Sequence, residues 1–389
     1  MAKSSIAALD RRRFLAAGAA VGAATLAVPR MAFASAATER RFVFIIQRGA
    51  ADGLAILAPT GDPALSGLRG DLAADAAGGA KLDAMFTLHP GLAETAKMYA
   101  AKQALFAHAI ASPYRDRSHF DGQNVLETGG GGAYRLKDGW MNRLLTLLPA
   151  SGSRAIALSA TVPVALRGPV KVASYAASRL PSASDDLLTR VGDLYARDAQ
   201  LQPLWNEALS ARSLAGDLDA GKNAADTGAL AARLMAPADG ARVVMIETNG
   251  WDTHNGQRGR LNAQLKGLDA LLAALKTGLG PAWNDTLVLV ATEFGRTARA
   301  NGTGGTDHGT GALAMLLGGA LAGGRIISDW PGLSQGALYD GRDLKPTMDL
   351  DALIASAVAQ HFALDGGRAG AVLFPETSPR ILGQRLVAA

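Results

Sequence analysis

The chain has 389 residues, 49% of them hydrophobic, with 46 glycines, no cysteine and a formal charge of +5. The missing cysteine excludes disulfide scaffolds, thiolate zinc sites, iron–sulfur clusters and thiol nucleophiles. Residues 1–34 hold Lys3, Arg11, Arg12, Arg13 and Arg30 against Asp10, so the 34 basic and 33 acidic residues that remain nearly cancel; a basic nucleic-acid surface is not supported.

The basic excess reads as an export label. Arg11-Arg12-Arg13-Phe14-Leu15 precedes a weakly apolar Ala/Gly run at 15–28, too short for a bilayer core of about 30 Å. Ala32-Phe33-Ala34 offers an A-x-A cleavage site. The pattern predicts a twin-arginine signal peptide over 1–34. It implies the twin-arginine translocase as export partner and a periplasmic or secreted bacterial product with no stable membrane span.

Along the rest of the chain, the run 42–46 (FVFII) predicts a buried strand, followed by the Gly-rich turn QRGAADG. Helical spacing covers 90–103, and 105–110 is a second buried strand. A helix opens near 117 and is broken by Gly129–Gly132. Short β-like segments at 154–158, 162–166 and 169–174 suggest an antiparallel insert within a poorly defined region of about 150–240, and 185–236 is mostly helical. Strand 242–248, amphipathic helix 257–277, strands 286–292 and 312–317, and helix 350–363 follow. This alternation predicts an α/β fold, a mostly parallel central sheet flanked by helices.

In such sheets ligands gather beyond the carboxyl ends of the strands. The first strand runs into Arg48 and Asp52, the next into Asp252 and His254, a third into Glu293 and Arg296. The loop GTGGTDHGTG brings Asp307 and His308. Carboxylates and imidazoles on separate strand ends suit an N/O-ligated divalent metal. Each also has a structural reading: Asp252 as a helix cap, Glu293 paired with Arg296, Asp307 holding a turn. A fifth segment, RDRSHFDGQNVLETGGGG, contributes Arg115, Ser118, His119 and Asp121. Ser118 opens a helix, as nucleophile or as ordinary N-cap. His89, His108 and His361 sit in apolar contexts and read as structural. No G-x-S-x-G elbow, P-loop, dinucleotide fingerprint or H-E-x-x-H helix occurs.

RGAADGL, RSHFDGQNVLETG, GWDTH, EFGRT, NGTGGTDHGTGA and the GR at 341–342, taken in that order, resemble domain-of-unknown-function family 1501 over residues 41–380. These are twin-arginine-exported proteins similar to the alkaline phosphatase and sulfatase superfamily. The resemblance implies a single alkaline-phosphatase-like domain. It implies one or two divalent ions (Zn, Mn, Ca or Mg) on Asp52, Asp252, His254, Glu293 and His308, with Asp307 a ligand or a partner orienting His308. Ser118 would be the nucleophile, and Arg48, Arg115 and Arg296 an oxyanion clamp. Glu293-Phe294 stands where the superfamily has Asp-His, which removes one imidazole, and no cysteine is present for a formylglycine. The expected function is metal-dependent hydrolysis of phosphate or sulfate esters, with an ester-bearing small molecule or polymer as substrate. The alternative is a secreted binding or assembly protein that keeps the fold without catalysis.

Overall fold

Strand β1 (Arg41–Gln47) reads RFVFIIQ, and all seven of its residues are buried, as expected of a strand covered on both faces. The computed structural model describes residues 38–149, 154–176, 185–198, 200–215 and 223–388. The expected signal peptide lies outside the described residues, as do parts of the 150–240 region. β2 (Leu57–Ala58), β3 (Ala80–Lys81) and β4 (Thr87–Leu88) form a small sheet of their own. β5 (Ala104–Ala111), β6 (Ala155–Leu158), β7 (Ala173–Ser174), β8 (Val243–Thr248), β9 (Thr286–Ala291), β10 (Ala312–Leu317), β11 (Arg325–Ile327) and β12 (Met348–Asp349) join β1 in the large sheet.

The order across the large sheet is β11-β5-β10-β9-β1-β8-β6-β7, with β12 beside β5. Every pairing is parallel except those of β10, which runs antiparallel to β5 and β9. The loop entering β10 therefore arrives at the edge where β1, β5, β8 and β9 end.

Alternation along the strands sorts residues onto two cores. Val43, Ile45, Val244, Ile246, Val288 and Val290 pack on one face with the helices Ala224–Met235 and Gln257–Leu279. Phe42, Phe44, Ile46, Met245, Leu287 and Leu289 pack on the other with the helices Trp140–Leu147 and Leu350–Phe362. In Gln257–Leu279 the buried Leu261, Leu265, Leu268, Leu272, Leu275 and Leu279 recur every three or four residues, one apolar stripe of a helix. The result is three layers, helix–sheet–helix.

Two expectations are corrected. The 154–174 region is not an antiparallel insert: β6 extends the main sheet in parallel beside β8, β7 pairs in parallel beyond it, and Val164–Leu166 is a short 3-10 turn. The helix expected over 90–103 is shorter, a 3-10 turn at Pro90–Leu92 and then Ala93–Ala100. Among the described residues no helix is long and apolar enough to cross a membrane.

Candidate metal centre

The sheet's carboxyl edge gathers the site because its loops run unusually close. Gly49, just past β1, has φ +118°, and a Cβ there would stand 2.5 Å from the Asp252 backbone nitrogen; glycine is what lets the two exits pass. Beyond β9, Gly295–Thr297 pairs with Asp307–Thr310 through Gly295 N–H to Thr310 O (3.0 Å) and Thr297 N–H to Asp307 O (2.9 Å). A Cβ on Gly305 would meet the His254 carbonyl at 2.4 Å, so this loop lies directly on the His254 backbone. From β5, residues 112–118 lead to His119, the first residue of the helix His119–Thr128.

Three imidazoles and one carboxylate converge there. Asp252 Oδ1 lies 3.1 Å from His254 Nε2 and 3.3 Å from His308 Nε2, and Asp252 Oδ2 lies 3.4 Å from His119 Nε2. The Nε2 atoms of His254 and His308 are 3.0 Å apart. Each ring is tied at its other nitrogen to an acceptor. His119 Nδ1 donates to Glu293 Oε1 at 2.8 Å, His254 Nδ1 to Asp307 Oδ1 at 3.1 Å, and His308 Nδ1 to the Arg117 carbonyl at 3.0 Å. With the protons on Nδ1, the Nε2 lone pairs of His254 and His308 face each other, and all three imidazoles turn Nε2 toward the carboxylate. His119 Nε2 is buried with no hydrogen-bond partner. One shared proton would relieve one of these contacts; a divalent cation among His119, Asp252 and His308 would relieve several at once. The donor set and its backing groups fit such an ion, since metal-ligating histidines hold their second nitrogen in this way. Ligand atoms of His119, Asp252 and His308 lie within 4.8 Å of one another.

The surrounding groups fix orientation and charge. Glu293 is fully buried and saturated: Oε1 accepts from Gly49 N (2.8 Å), Gln123 Nε2 (3.0 Å) and His119, and Oε2 from Thr292 Oγ1 (2.9 Å). Phe294 stacks on His119 with ring centres 5.1 Å apart. Buried Arg296 donates to Asp252 Oδ1 at 2.7 Å and to Thr306. Burial opposes ionisation of Asp252, but Arg296 and the imidazoles outweigh it and hold the carboxyl below its usual range. Burial, with His119 and Arg296, pushes His308 below its ordinary value and keeps it the neutral ligand a metal needs. The hydrogen bond to Glu293 raises His119.

Of the residues singled out in the sequence, Asp252, His254 and His308 meet at this centre. Glu293 and Asp307 stand behind imidazoles, and Asp307 orients His254, not His308. Asp52 is wholly buried in a paired contact with Arg69 and accepts from Gln257 Nε2 at 2.6 Å; removing one partner of such a buried pair costs about 3–5 kcal/mol. Arg48 is held by Glu127 (2.9 Å), Glu247 and Gln123 (2.8 Å). Arg115 donates to the carbonyls of Ser112 and Tyr114, beside a cavity of about 310 Å³ that also borders Asp349 and Asp351. Ser118 is the N-cap residue of the His119 helix, yet its hydroxyl makes no capping bond. His119 is a candidate ligand that the sequence did not single out as one; its signal is its place inside the segment that carries Ser118. His89, His108 and His361 are structural, bonded to Gly91 N, Leu57 O and Arg41 O.

Residues 39–373 match a family model described as "Protein of unknown function (DUF1501)". No curated relative matches the chain. Among solved structures, the C-terminal periplasmic domain of EcEptC from Escherichia coli, in complex with Zn, is similar over 91% of this chain and 94% of that chain, at 10% identity and a TM-score of 0.43. The phosphonate monoester hydrolase of Agrobacterium radiobacter is similar over 74% and 70%, at 10% identity and a TM-score of 0.32. Scores this low assign neither a site nor a reaction.

Proposed function

The chain belongs to the DUF1501 family of proteins of unknown function, and from the centre it carries we propose an exported, metal-dependent hydrolase of phosphate or sulfate esters with an alkaline-phosphatase-like fold. The observation that supports this most is the set of three imidazole Nε2 atoms gathered around Asp252, each ring tied at Nδ1 to an acceptor. His119, Asp252, His254 and His308 would hold one divalent ion. Three nitrogens and one carboxylate suit zinc or another first-row metal and count against calcium and magnesium. A second ion on Asp52 is disfavoured, because Arg69 and Gln257 already occupy both of its oxygens. Such an ion supplies Lewis acidity, polarising the ester and lowering the pKa of water.

The chain's own groups do the rest. Glu293, Asp307 and the Arg117 carbonyl hold the imidazoles in the Nδ1–H form, and Arg296 fixes Asp252. Ser118, one residue before His119 and free of capping duty, is the proposed nucleophile; water takes that role if the hydroxyl is dispensable. Elemental analysis of the purified protein, with phosphomonoester, phosphodiester and sulfate ester substrates, tests the reading. Stoichiometric zinc or manganese and hydrolysis of one class are expected; a metal-free, inert protein would sink it. Ser118→Ala should keep the metal and abolish turnover, and retained turnover assigns the attack to water. One observation favours a second reading, a binding protein without catalysis: Arg48, Arg115 and Arg296 are all engaged by protein groups, leaving none of the expected clamp disengaged. Metal without turnover on every ester would support it.

A further inference from the structure

The GR at 341–342 has no part in the chemistry above, yet the residue after it reaches the metal centre through one intermediary. Asp343 is wholly buried. Its Oδ2 accepts from Arg117 Nε at 3.0 Å, lies 2.8 Å from Arg117 Nη2 and accepts from Thr310 Oγ1 at 2.9 Å. Its Oδ1 has no hydrogen-bond partner, and Arg342 Nε stands 3.7 Å away. A buried carboxylate so incompletely served is costly to keep. Arg117 itself has φ +61°, an uncommon backbone conformation for a residue other than glycine. In that conformation its carbonyl receives the His308 Nδ1 proton. Arg342 closes the ring by donating from Nη2 to the His308 carbonyl at 2.6 Å.

We propose that Arg117 and Asp343 form a latch that positions His308, with the buried carboxylate gripping the Arg117 side chain so that its backbone carbonyl holds His308 as the Nδ1–H tautomer, Nε2 presented to the metal. The latch also ties down Thr310, two residues beyond His308, so both sides of the ligand are held from one carboxylate. Asp343 and Arg117 are positioning residues; neither is placed among the ligands. The proposal rests on the metal reading above for its consequence, though not for its geometry.

The test uses the full chain as wild type, Arg117→Gly, Asp343→Asn and the double variant. Glycine accepts φ +61° readily, so Arg117→Gly removes the grip without backbone strain, and Asp343→Asn, alone and in the double variant, removes the buried charge that Arg117→Gly leaves unpaired. Two quantities are measured: zinc affinity by competition with a chromophoric chelator, and the His308 tautomer in metal-free protein from imidazole 15N shifts. Expected are zinc binding weakened about 10–100-fold in each single variant, the usual effect of losing such a supporting partner. The double variant should be no weaker than the worse single one, since the two residues make one contact. Metal-free His308 should move from the Nδ1–H form to a mixture. Unchanged affinity, or an unchanged tautomer in both single variants, overturns the latch. If wild type binds no zinc, the metal reading fails, and the tautomer measurement alone still decides the latch.

Discussion

Glu293 shows how much a side chain's direction decides. In the sequence it is a carboxylate at a strand end, indistinguishable from Asp252. In the fold, both of its oxygens are filled by donors, and it acts through His119. Glu293→Gln removes the charge that raises His119 and breaks the acceptor set. Metal affinity should fall about 10–100-fold while Asp252, His254 and His308 remain; an affinity within twofold of wild type would show that Glu293 does not support the site. The residue types and three of the four proposed ligands were legible, because Asp252 and His254 follow an apolar run that reads as a strand and His308 stands just before another, Ala312–Leu317. His119 was not, since it lies on a helix start reached by a seven-residue loop (112–118), and only the tertiary position of Glu293 and Phe294 turns its ring toward Asp252.

At the level of elements, continuous apolar runs located the long central strands, and the amphipathic leucine stripe located the Gln257–Leu279 helix. Direction was less accessible. Segments as short as β6 and β7 carry no periodicity that distinguishes parallel from antiparallel pairing, and the place of β6 beside β8, with β7 beyond it, is settled by the core beneath them. The loop before β10 is the element most exposed to a single change. Gly305→Ala places a Cβ 2.4 Å from the His254 carbonyl, so the loop must lift off that backbone. Loss of metal binding is expected, with a smaller fall in metal-free thermal stability, because the loop is peripheral to both cores. Intact affinity would mean the loop is not needed to hold His308 in place.

For the molecule as a whole, charge and burial predict export and acid sensitivity. Arg11→Lys together with Arg12→Lys should leave the protein on the cytoplasmic side, as fractionation would show, if the proposed twin-arginine label is correct. Burial depresses His108 to about 4 and His361 to about 3, against roughly 6.5 in an unfolded chain. Between those values the unfolded state binds more protons, so stability is lost as pH falls from about 6.5 toward 3. His361→Gln, which can still donate to the Arg41 carbonyl, should flatten that limb in thermal melts. Asp351 acts in the opposite sense: burial and Asp349 push it up to about 7. The native state then holds its proton between about 4 and 7, and stability falls as pH rises through that window. Asp351→Asn should raise the melting temperature at pH 8 and leave it nearly unchanged at pH 4; the reverse pattern would contradict the burial argument.

The reversed strand β10 has a consequence for when the site can exist. Because β10 runs against its neighbours, the loop carrying His308 reaches the others only after β5, β9 and β10 have paired. The proposed ligands extend from residue 119 to residue 308, and no two neighbouring loops supply them all. A nascent or partly folded chain therefore lacks the full set of proposed ligands, and an ion bound there would be selected by whichever compartment first holds the finished fold. If the proposed export of folded cargo by the twin-arginine route is correct, that compartment is the cytoplasm, and a metal bound at this centre would record the cytoplasm's supply, not that of the destination.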